Sequence, residues 1–153
     1  MEDVALFLHL LGALLFVAGI TVAAIAFEAA RRRTTPSEIA LLLGLARAGA
    51  VLVGVGGLML PVFGLWLVHL GGFGFGAAWV SASLALYVIA LGLGAAGGQR
   101  PKRARLLAAR LAGAGDGETD ELRVLLEDPR SRAVNYVSLA IVVAIVALMV
   151  FKP

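Results

Sequence analysis

VALFLHLLGALLFVAGITVAAIAF, the stretch from Val4 to Phe27, decides the fold class of this protein. It contains no Asp, Glu, Lys or Arg, and His9 is its one strongly polar residue. A membrane core is crossed by about 20 apolar residues of α-helix, each rising about 1.5 Å. Because backbone groups in lipid must be satisfied within their own segment, this stretch is predicted to cross the membrane as a helix.

Three more stretches of the chain have the same character. They run over about 49–68, 77–96 and 133–151, and none has a charged residue in its interior. The first stretch is too long for the core of a signal peptide, and Glu2 and Asp3 replace the basic residues that precede such a core. We therefore predict a single integral membrane domain over 1–153, all-α, folded as a four-helix transmembrane bundle.

The composition excludes most soluble classes. Hydrophobic residues make up 61% of the chain and charged residues 15%, with a mean hydropathy of +0.97. A soluble domain is usually about 45–50% apolar and roughly 25% charged. A water-soluble globule of this size could not bury so many apolar side chains. Soluble enzymes and disordered chains are thus excluded, and the absence of cysteine excludes disulfides and catalytic thiols.

The basic residues predict the orientation in the membrane. They fall almost entirely in the connections after the first and third spans, at Arg31, Arg32, Arg33, Arg47, Arg100, Lys102, Arg103, Arg105, Arg110, Arg123, Arg130 and Arg132, whereas Lys152 is the one at the C-terminus. The positive-inside rule then places both basic connections in the cytoplasm and both termini outside the membrane. The pI near 10.0 reflects this topology, and anionic lipid is a simpler partner than nucleic acid.

The connections carry local signals for helix ends. Thr35-Pro36-Ser37-Glu38 fits a capping box, so a helix is predicted to begin at Pro36 and run into the second span, with a kink at Pro61. The outer connection 69–76 is rich in glycine and phenylalanine, and Trp66 and Trp79 flank it as an aromatic belt.

The connection from 97 to 132 is predicted to form two short helices at the headgroup boundary, with a partner-docking site as the alternative. The first covers Pro101–Leu111, with Leu106, Leu107 and Leu111 on its apolar side, and the glycines at 113, 115 and 117 end it. The second is capped by Thr119 and runs through Leu126.

His9 is the main candidate for chemistry within the membrane. The spans contain no carboxylate, so neither paired acid–base carboxylates nor a Ser–His–Asp set can form there. Gly12, Phe16 and Gly19 follow His9 at +3, +7 and +10, on the same side of the helix. Such a stripe allows close helix contact or makes room for a flat cofactor such as haem. The alternative is that His9 simply bonds a neighbouring backbone group or hydroxyl.

Two residues are candidates for a second ligand. His69 ends the second span at the same predicted membrane face as His9, and Met149 lies in the outer turn of the fourth. A histidine pair or a thioether suits haem iron, and thioether sulfur also suits Cu(I). Met59 is deeper in the second span. Each of these residues has an ordinary packing or interfacial role as its alternative.

The run His9-Leu-Leu-Gly12-Ala-Leu-Leu-Phe16-Val-Ala-Gly19 resembles the first helix of a group of small bacterial four-span proteins. This group includes the HemJ-type protoporphyrinogen oxidases, the membrane domain of the copper-resistance protein CopD and a predicted integral membrane family of unknown function. Arg47, the run Gly64-Leu-Trp-Leu67 with Trp79, and the ending Met149-Val-Phe-Lys152-Pro153 are similar to the uncharacterised branch.

The resemblance implies a haem-binding role for His9, since HemJ-type enzymes bind haem b through a first-helix histidine. Those enzymes also have a lysine in the third helix and a Trp-Met pair after the histidine, and both are absent here. An accessory electron-transfer or haem-handling role is therefore expected in place of oxidase activity. Copper handling through His9 and His69 is a further alternative. Another is a cofactor-free structural or assembly partner, within a homo-oligomer or a larger membrane complex.

Overall fold

The computed structural model describes residues 1–71, 77–115, 117 and 119–151, and of 130–132 and 135 it describes the backbone alone. Within these residues the chain is all-α and has no strand. The helices are α1 Glu2–Arg31, α2 Pro36–Leu70, α3 Ala78–Gly97, α4 Gln99–Ala114, α5 Asp120–Leu126 and α6 Pro129–Phe151. The predicted all-α class is confirmed. The predicted connection at 69–76 falls mostly on 72–76, which lie outside the described residues, as do Lys152 and Pro153.

Three helical stretches of the described chain are long and apolar enough to cross a membrane. They are α1, α2 and the stretch Ala78–Ala114, in which α3 passes into α4 with a break at Gly98 alone. The apolar part of α6, Tyr136–Phe151, is shorter than these three stretches. The helices thus coincide with all four predicted spans, while the four-span count stays a prediction.

The closest packing in the molecule joins α1 to α2. The buried residues of α1 include Ala5, Gly12, Gly19 and Ala26, which recur every seven positions. A seven-residue repeat keeps one stripe of a helix facing a single neighbour. Small residues along that stripe let the two backbones approach closely. α3 packs mainly against α6, so the long helices of the described chain pack as two pairs, α1 with α2 and α3 with α6.

The second helix begins where the sequence predicts. Pro36 is its first residue and Thr35 is the N-cap, but the Thr35 side chain makes no capping hydrogen bond. The predicted capping box is therefore wrong in its bonding, although it marks the correct residue. The helix continues through Pro61 to Leu70, and a kink at Pro61 stays a prediction.

α5 ends at Leu126 as predicted, whereas α4 is longer than the predicted 101–111 and continues through Gly113. α4 ends at Ala114, where Gly115 adopts a left-handed conformation with φ of 71°, the geometry that favours glycine at a helix end. The Thr119 hydroxyl oxygen accepts a hydrogen bond from Leu122 N at 3.4 Å, so Thr119 caps α5 as predicted.

The apolar sides of α4 and α5 face the protein, and their position at the headgroup boundary stays a prediction. They pack onto the ends of α1 and α2 in a buried group that we call the end cluster. It consists of Ala30, Ile39, Leu43, Ala104, Ala108, Leu111, Leu122 and Leu126. Leu106, which the sequence predicts on the apolar side, is 52% exposed. Ala104 and Ala108 face the end cluster instead, and their small side chains allow α4 to lie close to α2.

Polar contacts hold the same region together. Arg123 of α5 donates from Nη1 to the carbonyl oxygen of Arg31 at 3.0 Å, at the C-terminal end of α1 where helical carbonyls lack partners. Arg100 Nη1 lies 2.6 Å from Oδ1 of Asp128, whose side chain is only 6% exposed. Arg123 thus bonds α5 to the end of α1, and Arg100 bonds α4 to the residue that precedes α6.

Candidate functional site

His9 is hydrogen-bonded across the α1–α2 interface. Its Nδ1 lies 3.0 Å from the carbonyl oxygen of Leu60. A carbonyl oxygen can only accept, so Nδ1 must carry the hydrogen. In the neutral imidazole this leaves Nε2 unprotonated, so its lone pair can bind a metal ion or accept a hydrogen bond.

Gly64 makes the space that the His9 ring occupies. A Cβ atom built on Gly64 would lie 3.1 Å from Cε1 and 3.2 Å from Nδ1 of His9, which is tighter than ordinary contact. Leu60 and Gly64 are one turn apart on α2. The carbonyl that accepts the hydrogen bond and the space for the imidazole ring therefore lie on the same side of the helix. The position of His9 therefore depends on a residue without a side chain in the neighbouring helix.

Pro61 interrupts the hydrogen bonds of α2 beside His9. Proline has no N–H, so the carbonyl four residues earlier, that of Gly57, loses its helical donor. The hydroxyl of Tyr87 in α3 donates a hydrogen bond to that oxygen. A backbone group that would otherwise be unsatisfied in an apolar environment is thus paired by a neighbouring helix.

Three helices meet around this segment. A Cβ built on Gly57 would lie 3.5 Å from Cε2 of Phe16 and 3.7 Å from the Tyr87 hydroxyl oxygen. α1 and α3 therefore both reach α2 at Gly57. We call His9, Phe16, Gly57, Leu60 and Tyr87 the proline junction, since they surround the turn of α2 that ends at Pro61.

Gly12 and Gly19 contact α2 directly. A Cβ on Gly12 would lie 2.8 Å from Cβ of Met59, and one on Gly19 would lie 2.7 Å from the carbonyl oxygen of Gly49. The space beside both glycines is filled by α2. They therefore provide close helix contact, the first of the two uses predicted for them, and this interface leaves no room for a flat ring.

The other predicted ligands lie apart from His9. His69 is exposed in the last turn of α2, five residues after Gly64, or about 7.5 Å farther along the axis. Met149 is 36% exposed on α6, the helix that packs against α3. Within the described part of the chain, no hydrogen bond or ion pair joins either residue to His9, and no three His, Cys, Asp or Glu side chains are grouped as a metal site would require.

A family model described as "Predicted integral membrane protein (DUF2269)" matches residues 3–153. The chain belongs to this family. The match covers almost all of the sequence and agrees with the apolar helices, so this DUF2269 protein is an integral membrane protein in contact with the lipid bilayer. No curated protein and no solved structure matches the chain. The predicted membership of an uncharacterised membrane family is confirmed.

The sequence interpretation of this DUF2269 protein missed the role of Tyr87. A signal was available in the sequence. Pro61 identifies the Gly57 carbonyl as the group without a helical donor, and Tyr87 is one of only two tyrosines in the predicted spans. The contact of α3 with that turn of α2 could not be predicted from the sequence. Tyr87 is therefore a positioning residue of the proline junction.

Proposed function

We propose that this protein spans the bacterial inner membrane four times, with both termini outside, and holds haem b through Nε2 of His9. Its role is accessory electron transfer or haem handling, not oxidation of a porphyrinogen. The proposal includes a relationship to the HemJ-type oxidases and to the CopD membrane domain. The run from His9 to Gly19 supports this relationship.

The hydrogen bond from His9 Nδ1 to Leu60 O carries the proposal. Histidines that bind metals almost always donate their other ring N–H to a carbonyl, a carboxylate or water, which fixes the tautomer and the ring orientation. The pairing of Nδ1 satisfies the same requirement here. An ionisable residue inside a membrane span is also a functional candidate by default, because its burial in lipid is costly.

The imidazole nitrogen of His9 is a suitable ligand for haem iron, but the helix packing at Gly12 and Gly19 excludes a haem from that side of α1. Since α2 fills the space beside Gly12 and Gly19, the cofactor must be held outside the α1–α2 interface. Haem supplies one-electron chemistry when it is bound. The chain's own part is to orient the His9 ring through Leu60 and Gly64. His69 and, in reserve, Met149 stay the proposed second ligands, although neither lies beside His9 in the structure.

Absorption spectroscopy of the purified protein tests this function. The protein is expressed with ample haem, purified in mild detergent, and scanned before and after reduction. The key variant is His9→Asn, because the Asn side-chain amide can still donate to Leu60 O while lacking a nitrogen at the Nε2 position. His9→Ala removes both interactions, and His69→Ala tests the second ligand.

The expected result is a Soret band in the wild type that is lost in His9→Asn although the protein still folds. Adding imidazole to His9→Ala should restore the band, since free imidazole can occupy the vacated space. A colourless wild type would overturn the haem proposal. A Soret band that persists unchanged in His9→Asn would overturn the ligand assignment.

Cysteine labelling tests the span count and the orientation. The chain has no cysteine of its own, so single substitutions at Glu2, Ala114 and Phe151 introduce unique thiols. In intact spheroplasts a membrane-impermeant maleimide should label positions 2 and 151 but not 114. Labelling at 114, or at only one of the two ends, would contradict the proposed topology.

A cofactor-free assembly partner is the second candidate, and the glycine contacts favour it. All the space on the Gly12 and Gly19 side of α1 is used for helix packing, and the His9 hydrogen bond satisfies one ring nitrogen without any ligand. This function predicts a colourless protein that co-purifies with a membrane complex or forms a homo-oligomer. Metal analysis of the same preparation tests the copper alternative.

A further inference from the structure

We propose that one face of α4 binds the anionic headgroups of phospholipids. This basic face consists of Lys102, Arg103 and Arg110 around Leu106. It is separate from the proline junction, and the inference does not depend on whether the protein holds haem.

The arrangement follows from how α4 packs. Ala104, Ala108 and Leu111 are buried in the end cluster, so the opposite side of the helix faces outward. Lys102 and Arg110 lie four residues before and after Leu106, and Arg103 lies three before it, which are the spacings of neighbours on a helix surface. All three cations are exposed. They therefore surround an exposed leucine on one face.

These cations are not neutralised by the described part of the protein. Arg100 is paired with Asp128, Arg123 with Glu127, and both Arg31 and Arg32 with Glu28. Lys102, Arg103 and Arg110 have no ion pair or hydrogen bond with any described residue. The carboxylates of Glu28, Glu127 and Asp128 form their ion pairs with other arginines. The basic face thus presents three positive charges to its surroundings.

The position of α4 favours lipid as the source of the compensating anions. Only Gly98 separates α4 from the apolar helix α3, and Lys102 comes five residues after the end of α3, about 7.5 Å along a helix. Lysine and arginine side chains extend well beyond their backbone and place the charge at the membrane interface. No aromatic side chain occurs in α4 to stack on nucleic acid bases. A phospholipid phosphate is the anion within reach.

Spin-labelled lipids measure the preference directly. The full-length protein is reconstituted in phosphatidylcholine vesicles that contain either spin-labelled phosphatidylglycerol or spin-labelled phosphatidylcholine, and the ratio of their association constants is determined at low and high salt. The test variant is Lys102→Gln/Arg103→Gln/Arg110→Gln. The matched control, Arg32→Gln/Arg33→Gln/Arg47→Gln, removes the same number of exposed positive charges elsewhere.

One cation near an anionic surface is worth about a fivefold change in binding constant. We expect the wild type to prefer phosphatidylglycerol by about fivefold or more at low salt. The preference should fall by at least about fivefold in the test variant and at high salt, and change little in the control. Helical circular dichroism and detergent elution volume verify that each variant is folded.

Three results would overturn the inference. The wild type could show no preference between the two lipids, or the two triple variants could lose the same preference, which would mean that only net charge counts. The third result is binding of an added RNA oligonucleotide that the test variant abolishes while the lipid preference is unchanged. That outcome would assign the basic face to a soluble polyanion.

Discussion

The hydroxyl of Tyr87 donates a hydrogen bond to the carbonyl oxygen of Gly57, which Pro61 leaves without a helical donor. About one turn farther along α2, the carbonyl oxygen of Leu60 accepts a hydrogen bond from Nδ1 of His9. Side chains from α1 and α3 therefore converge on a single turn of α2. In lipid, where water cannot satisfy backbone groups, such interhelical bonds fix which helices are neighbours.

Tyr87→Phe should lower the free energy of unfolding by about 1 kcal/mol, because the Gly57 carbonyl would lose its donor. The cost should shrink in a Pro61→Ala background, where the backbone N–H restored at position 61 can bond Gly57 O as in an ordinary helix. A double-mutant cycle in detergent measures this coupling. Equal costs in both backgrounds would mean that Tyr87 acts independently of the proline.

Gly56→Ala should destabilise the α1–α2 pair. The new Cβ would lie 2.5 Å from the Gly12 carbonyl oxygen and 2.6 Å from Phe16 N, and these backbone atoms cannot move aside without separating the helices. Such overpacking costs about 1–3 kcal/mol. The control is Gly54→Ala, two residues away, where a Cβ meets nothing within 4 Å.

Thermal unfolding in detergent should show a lower midpoint for Gly56→Ala than for Gly54→Ala. If the two variants melt together, the close glycine contact is not important for stability.

Ser83→Ala should leave the protein equally stable or stabilise it by up to about 1 kcal/mol. Ser83 is 5% exposed, and its hydroxyl has no hydrogen-bond partner among the described residues. Removing an unsatisfied buried hydroxyl removes a desolvation cost. The exposed Ser81→Ala on the same helix is the control. A clear loss of stability in Ser83→Ala alone would reveal a partner, such as a bound water, at this hydroxyl.

Leu122→Ala should loosen the end cluster. Leu122 is fully buried there, and truncation of a buried leucine costs about 2–5 kcal/mol. Hydrogen exchange of the α4 and α5 amides should quicken while that of the α1–α2 pair stays slow. Val124→Ala, at an exposed position of the same short helix, should leave the exchange unchanged. Uniform quickening over the whole chain would contradict a separately packed cluster.

Much of the local structure could be predicted from the sequence. The helix start at Pro36, the left-handed end at Gly115 and the cap at Thr119 each depend on residues within one or two turns. Bonding details were less predictable, since the Thr35 side chain marks a helix start without capping it. The outward position of Leu106 is not predictable from α4 alone, because it depends on which side of α4 contacts the other helices of the end cluster.

The candidate site was predictable only in part. His9 stands out in the sequence because a polar residue in an apolar span is rare, and burial of an unpaired imidazole is costly. Its acceptor is a backbone carbonyl 51 residues away, a kind of group that every residue carries and that no pattern singles out. The use of Gly12 and Gly19 was likewise left open, since small residues serve both helix contact and cofactor binding.

The sequence by itself determined that this chain is an integral membrane protein of long apolar helices, because the length and hydropathy of a segment decide its partition into lipid. Only the tertiary structure decided that α1 contacts α2 through glycines, that Tyr87 compensates for Pro61, and that His9 presents Nε2 rather than Nδ1. The physical reason is that apolar helices have little lateral preference in lipid. Their neighbours are selected by close backbone approach and by a few hydrogen bonds between distant residues.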